Sequence, residues 1–339
     1  MRIFLLLLLT ILPFQLGKHF WPSFSYVLGL KIDYLSPVVY LQDVLIILLI
    51  ILFFKKFRIT NDNVIAFFLL ILFVVLNVVF SLNPTVSLFH WLRITELLIL
   101  AVIIGKNKEF VRKSLGKIIP FWLIGEFVLG ILQIFRQSSV SGLFWLLGER
   151  EFNIFTPGIA KASWLGQVFL RPYGTFSHPN SLSGFILVCL VLLFAKEKLS
   201  LFEKIAAISG FSLIILCFSR AVWLSVLALS FFYLLWQLKK GLKEKLSLNF
   251  IYVSIIIALL TTVFLFPKTT IEKNSFEYRQ RLMNFSLETI KANPLFGVGA
   301  NAFIVKLSQN ENVWQLLSFL QPAHNIFLLI GSESGLIGL

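Results

Sequence analysis

Acidic side chains are scarce in this chain. Asp33, Asp43 and Asp62 are its only aspartates, and Asp plus Glu number 16 among 339 residues. No Asp-x-Asp pair occurs, so a carboxylate-held divalent metal site is not expected. Cysteine is scarcer still. Cys189 and Cys217 both fall inside apolar runs, which excludes a disulfide framework and any thiolate metal cluster. Charged residues of both signs make up only 14% of the chain. Too few charges are present to build a water-facing surface, and a soluble protein of this length is excluded.

Apolar residues are what the chain has instead. They make up 58%, with a mean hydropathy of +0.89. Runs long enough to cross a bilayer, or nearly so, fall at about 3–17, 37–54, 64–80, 88–105, 118–135, 179–195, 204–218, 221–238, 249–266 and 322–339. The expected fold is therefore all-α: a polytopic transmembrane bundle of about ten spans. Arg2 followed by an apolar run resembles a signal peptide, but no small-x-small cleavage site follows, so a retained first helix is expected. The chain stops inside an apolar run, and further C-terminal helices are expected to be missing.

The net charge of +14 fits topology better than nucleic acid, which is not an expected partner. Lys55, Lys56 and Arg58 lie in one connection, and Lys106, Lys108, Arg112, Lys113 and Lys117 in another. Lys196, Lys198 and Lys204 follow, then Lys239, Lys240, Lys243 and Lys245. These are alternate connections, so they share one side, which the positive-inside rule makes cytoplasmic. The connection 81–87 carries no basic residue. The N-terminus is then cytoplasmic, and two long segments, about 136–178 and 267–321, lie outside. Either can hold short interfacial or re-entrant helices, such as the stretch around Trp164 to Leu170.

This topology delivers a set of cations to the outer side. Arg171 and His178 sit in Arg171-Pro-Tyr-Gly-Thr-Phe-Ser-His-Pro-Asn180, and Arg220 in Phe218-Ser-Arg-Ala-Val-Trp223. Arg279 and Arg281 lie in the second long segment, and His324 opens the last apolar run. Guanidinium suits phosphate and pyrophosphate, because its planar fork donates paired hydrogen bonds and stays charged near hydrocarbon. Histidine suits a general base at neutral pH. Plainer readings compete. A lone Arg at a helix end is a snorkelling anchor. His178, ahead of Pro179 and Asn180, reads as a helix cap. For His324, capping and catalysis weigh equally. Arg93 and Glu96 read as an ion pair three residues apart on one helix face. The Gly-rich stretch 293–303 lacks a dinucleotide fingerprint and reads as local turn structure.

Taken together, Arg171 to Asn180, Phe218 to Trp223, Arg281-Leu-Met-Asn-Phe285, Asn293-Pro-Leu-Phe-Gly-Val-Gly-Ala-Asn-Ala-Phe303, His324-Asn-Ile-Phe-Leu and Glu333-Ser-Gly-Leu-Ile-Gly338 resemble the O-antigen ligase and polymerase superfamily of bacterial envelope proteins. The resemblance covers about 165–339, leaving 1–164 as N-terminal spans with an outer loop. It implies a GT-C-like bundle with a large extracytoplasmic loop, 267–321, before the last span. The implied activity is metal-independent, inverting and without a cofactor. A glycan passes from undecaprenyl pyrophosphate to a lipid, glycan or protein acceptor on the outer face of the plasma (inner) membrane. By motif, His324 is the implied base and Arg171 a pyrophosphate contact. A second Arg is Arg279 or Arg281, and Arg220 shapes the same pocket. The rival from another class is a transporter of a lipid-linked sugar or an anion.

Overall fold

A computed structural model describes residues 1–54, 64–164, 167–196, 198–239, 270–309 and 320–339. The expected span at 249–266 lies outside the described residues. The chain is mostly helical. In order the helices are α1 (Arg2–Thr10), α2 (Leu41–Phe54), α3 (Val64–Val79), α4 (Pro84–Lys106), α5 (Lys108–Arg136), α6 (Leu143–Leu146), α7 (Pro179–Phe194), α8 (Leu201–Leu216), α9 (Arg220–Lys239), α10 (Thr270–Ala292), α11 (Phe303–Ser308) and α12 (Ile326–Ser334). Two of these, α4 and α5, are long and apolar enough to cross a membrane by themselves; α2, α3, α7 and α9 are apolar but shorter. At nine residues each, α1 and α12 rise only about 14 Å. Pro13 accounts for the early end of α1, since a helix seldom runs through the residues just ahead of a proline.

Several apolar helix faces are turned outward rather than into a core. Phe67, Phe68, Leu69, Leu70, Ile71 and Leu72 of α3 are all exposed. Six consecutive apolar side chains facing out cover every side of a helix, which water would not tolerate and lipid would.

The chain divides into two compact units. One comprises Arg2–Leu16 and Asn107–Pro267; the other holds Gly17–Lys106 and Lys268–Leu339. In the first, α5 is the central post, packed by α1, α7 and α8 around Trp122, Leu123, Ile186, Leu190, Leu213 and Trp223. Gly130 of α5 lets Pro172 and Leu213 approach; an added Cβ there would meet the Leu213 methyl at 2.9 Å. The Lys196 ammonium donates to the Gly116 carbonyl at 2.6 Å and pairs with Glu203. Two of the basic connections thus meet at one end of this unit. The Lys196 bond and the Ser200 backbone hold the Glu203 carboxyl down at about 2. Glu203 and Ser200 also form a reciprocal capping box that starts α8.

At its other end this unit carries an antiparallel hairpin, β5 (Lys161–Trp164) with β6 (Gln167–Leu170). A helix was expected around Trp164 to Leu170. β-prone Val168 and Phe169, followed by Arg171-Pro172, favour extended backbone instead.

In the other unit the segment ahead of α2 forms two small sheets. β1 (Gly17–His19) pairs with β4 (Val38–Tyr40), and β2 (Tyr26–Val27) with β3 (Leu30–Lys31). The second hairpin turns through Leu28 and Gly29, both at positive φ, as its two-residue loop requires. Val27, Ile32 and Leu35 join a core with Leu282 of α10, Phe303 and Ile304 of α11, and Ala323. The expected Arg93–Glu96 pair forms at 3.2 Å, and Arg93 also pairs with Asp43 at the start of α2.

The Gly-rich stretch forms a tight turn. Gly297 and Gly299 have φ of +66° and +100°, and a Cβ on Gly299 would lie 2.0 Å from the Ser81 hydroxyl oxygen. Asn77 of α3, wholly buried, holds this turn. Its amide donates to the Phe296 and Glu333 carbonyls at 2.8 and 2.9 Å. Its oxygen accepts from Ala300 N at 3.0 Å and Trp91 Nε1 at 2.8 Å. Asn77→Leu keeps the branching of the side chain but leaves four polar partners without a mate, two of them buried. It should cost about 3 kcal/mol or more, read as a lower unfolding temperature in detergent; an unchanged transition would refute the role.

Candidate functional site

In the unit built on α5, the sequence-expected residues Arg171 and Arg220 come together. Arg171 follows β6 on a loop that α5 grips from below. Gln133, wholly buried, accepts from the backbone N–H of Tyr173 and of Gly174, each at 2.8 Å. Its amide donates to Glu149 Oε1 at 2.8 Å and to the Gly174 carbonyl at 3.0 Å. Two turns earlier on α5, the Glu126 carboxyl accepts from Thr175 N at 3.0 Å and from the Thr175 hydroxyl at 2.6 Å. Gly174 sits at φ +57°, where an added Cβ would lie 2.1 Å from Glu126 Oε2. The loop after Arg171 is therefore fixed by two polar side chains from an apolar helix.

Arg171 reaches the turn between α8 and α9. Its Nε donates to the Cys217 carbonyl at 2.6 Å, the open end of α8, and Nη2 donates to Asn180 Oδ1 at 2.7 Å. The remaining guanidinium N–H groups have no partner among the described residues. The turn is three residues long: Cys217, Phe218 at φ +49° and Ser219, whose carbonyl accepts from Trp223 N. Phe218 is clamped between Phe169 and Trp223, with ring centroids at 5.3 and 5.9 Å. Arg220 is the first residue of α9. Burial lowers the Arg171 pKa from its ordinary value, and the like charge of Arg220 lowers it further. Two neighbouring guanidinium groups, one of them largely withdrawn from water, make a site that gains by taking up an anion. The buried Ser219 hydroxyl between them in sequence has no partner among the described residues.

His178 caps α7. Its Nδ1 accepts from Asn180 N at 3.0 Å, as the His-Pro-Asn sequence suggested.

In the other unit α10 carries Arg279 and Arg281. Tyr278, Leu282 and Phe285 form its inward stripe, with Ser286 and Thr289 buried beside it. Successive residues turn by about 100°, so Arg279 and Arg281 leave the helix on opposite flanks of that stripe. Arg281 lies by Tyr278, whose phenol burial pushes up to about 12 against the pull of Arg281. Arg279 lies by His324. That histidine precedes α12, exposed, between buried Ala323 and the helix cap. The cap is Asn325, whose Oδ1 accepts from Phe327 N and Leu328 N at 3.0 and 3.2 Å. His324 is therefore not the capping residue. Its Nε2 donates to Gln321 Oε1 at 3.2 Å, which leaves the Nδ1 lone pair for a proton. Partial burial, then the charge of Arg279, lower the His324 pKa. Both effects favour the neutral imidazole, the form a general base needs.

Residues that sequence reasoning missed are the holders: Gln133 and Asn77. A single polar amide inside an apolar run was the available signal. Among the described residues no group of three or more His, Cys, Asp or Glu could hold a metal.

Residues 205–339 match a family described as O-Antigen ligase. No curated protein and no solved structure matches the chain. The match takes in Arg220, Arg279, Arg281, His324 and the Gly-rich turn; Arg171 precedes it.

Gly174→Ala drives a methyl into Glu126 and forces the Arg171 loop to shift. Binding of a pyrophosphate-bearing lipid should fall about tenfold or more, the loss of one charge-assisted contact. Binding equal to wild type in a lipid-pulldown titration would show that the loop's position is irrelevant.

Proposed function

We propose, for a chain that over residues 205–339 belongs with the O-antigen ligase and polymerase superfamily, that it is a metal-independent, inverting glycosyltransferase of the plasma membrane. The donor is a glycan on undecaprenyl pyrophosphate, and the acceptor is a hydroxyl on the outer face. The N-terminus is cytoplasmic and the chain crosses the bilayer about ten times. The observation that carries the reading is the environment of His324. It is an exposed imidazole, freed of capping by Asn325 and lying by a cation, Arg279, that favours the neutral ring.

The chemistry follows from the groups. His324 Nδ1 takes the proton of the acceptor hydroxyl as that oxygen attacks the anomeric carbon. The new C–O bond forms on the face opposite the breaking C–O–P bond, which inverts the centre. The bonding pair leaves with the pyrophosphate, whose developing charge guanidinium groups offset. Holding donor and acceptor together supplies much of the rate. Of the two candidates on α10, Arg279 rather than Arg281 is assigned to the reaction, because it is the one that acts on His324.

The test is transfer by the full chain in proteoliposomes with lipid-linked donor. His324→Ala should lower the rate by about 10²-fold or more; undiminished transfer removes the base. The pH profile separates the arginines. Removing the Arg279 charge stabilises the imidazolium, so Arg279→Gln should move the acid limb of kcat/KM to higher pH. Arg281→Gln should leave that limb in place. The reverse pattern would assign Arg281 instead.

A further inference from the structure

Within the α5 unit lies a cavity of about 390 Å³ that the transfer reaction does not use. Its wall is one stripe of α5: Lys117, Phe121, Trp122, Gly125 and Leu129. Phe14, Phe144, Leu147 and Thr175 also line it, and Lys117 is the earliest of its α5 residues. The polar groups on the wall are already engaged. Trp122 Nε1 donates to the Thr10 carbonyl, and the Thr10 hydroxyl donates to the Leu6 carbonyl. The Glu126 oxygens are turned onto Thr175. What remains is an apolar trough, a size suited to a small ligand or one alkyl chain.

Two features select the occupant. From Lys117 to Leu129 the helix rises about 18 Å, close to half of a hydrocarbon core about 30 Å thick. The trough thus has the depth of one leaflet. At the Lys117 end of this stripe, Lys113 and Lys117 are both exposed and four residues apart, hence stacked on one helix face. The neighbouring Arg112 is already paired with Glu109. This is the end where Lys196 joins Gly116, the end of the basic connections.

We infer that the trough holds one acyl chain of an anionic phospholipid from the leaflet at the basic end, with its phosphate against Lys113 and Lys117. The inference rests on the membrane assignment and not on glycan transfer.

Gly125 offers a clean test, because a Cβ there meets nothing within 4 Å and a larger side chain grows into the trough. The full chain would be purified in mild detergent, incubated with phosphatidylglycerol or phosphatidylcholine, and weighed by native mass spectrometry. Wild type should retain phosphatidylglycerol over phosphatidylcholine by about tenfold. Gly125→Leu should lose both lipids. Lys113→Gln with Lys117→Gln should erase the preference while keeping a tail-bound lipid. Retention by Gly125→Leu equal to wild type would overturn the site, as would displacement of phosphatidylglycerol by undecaprenyl phosphate. Lipid mass is the only readout, so transfer can fail or succeed independently of it.

Discussion

Backbone N–H and C=O groups that leave a helix inside an apolar protein must find partners there, since lipid offers none. The described structure meets this constraint twice in the same manner. In one unit Gln133 and Glu126 of α5 bind the backbone of the Arg171 loop. In the other Asn77 of α3 binds the Gly-rich turn and the C-terminal end of α12. Each amide serves donors and acceptors at once, and an Asn or Gln is the smallest side chain able to do so. Irregular backbone, which carries the candidate chemistry, is thereby anchored to regular helices.

The anchoring has an electrostatic consequence. Arg171 is carried to the open end of α8, where it satisfies a carbonyl and lies near Arg220. Bringing two guanidinium groups together is unfavourable until an anion joins them, so the arrangement gains by taking one up. His324 meets the opposite requirement. Its burial and its cationic neighbour both favour the neutral ring. One region thus gains by holding negative charge, and the other keeps an imidazole in its neutral form.

Much of this was legible in the sequence and some was not. Apolar runs located α2 to α5 and α7 to α9, because length and hydropathy suffice for a helix in lipid. His-Pro-Asn announced the cap of α7, and the spacing of Arg93 and Glu96 announced their pair. The third partner, Asp43, was hidden by distance along the chain. The hairpins at 17–40 and 161–170 were missed because strands of two to four residues show too little alternation to register. Residues 270–292 were read as loop for want of hydropathy, yet Tyr278, Leu282, Phe285 and Thr289 recur at helical spacing and bury one side of α10. The choice between Arg279 and Arg281 needed the helix itself, since only its rotation shows which one flanks His324.

Amide hydrogen exchange over residues 171–178 tests the anchoring most directly, with Gln133→Leu compared against wild type in the same micelles. If the α5 amide holds the Arg171 loop, wild-type Tyr173 and Gly174 exchange slowly, and the variant exchanges them at least about tenfold faster while α5 itself stays protected. Equal protection of the loop in both proteins would contradict the account, and the preorganised arginine site would then need another cause.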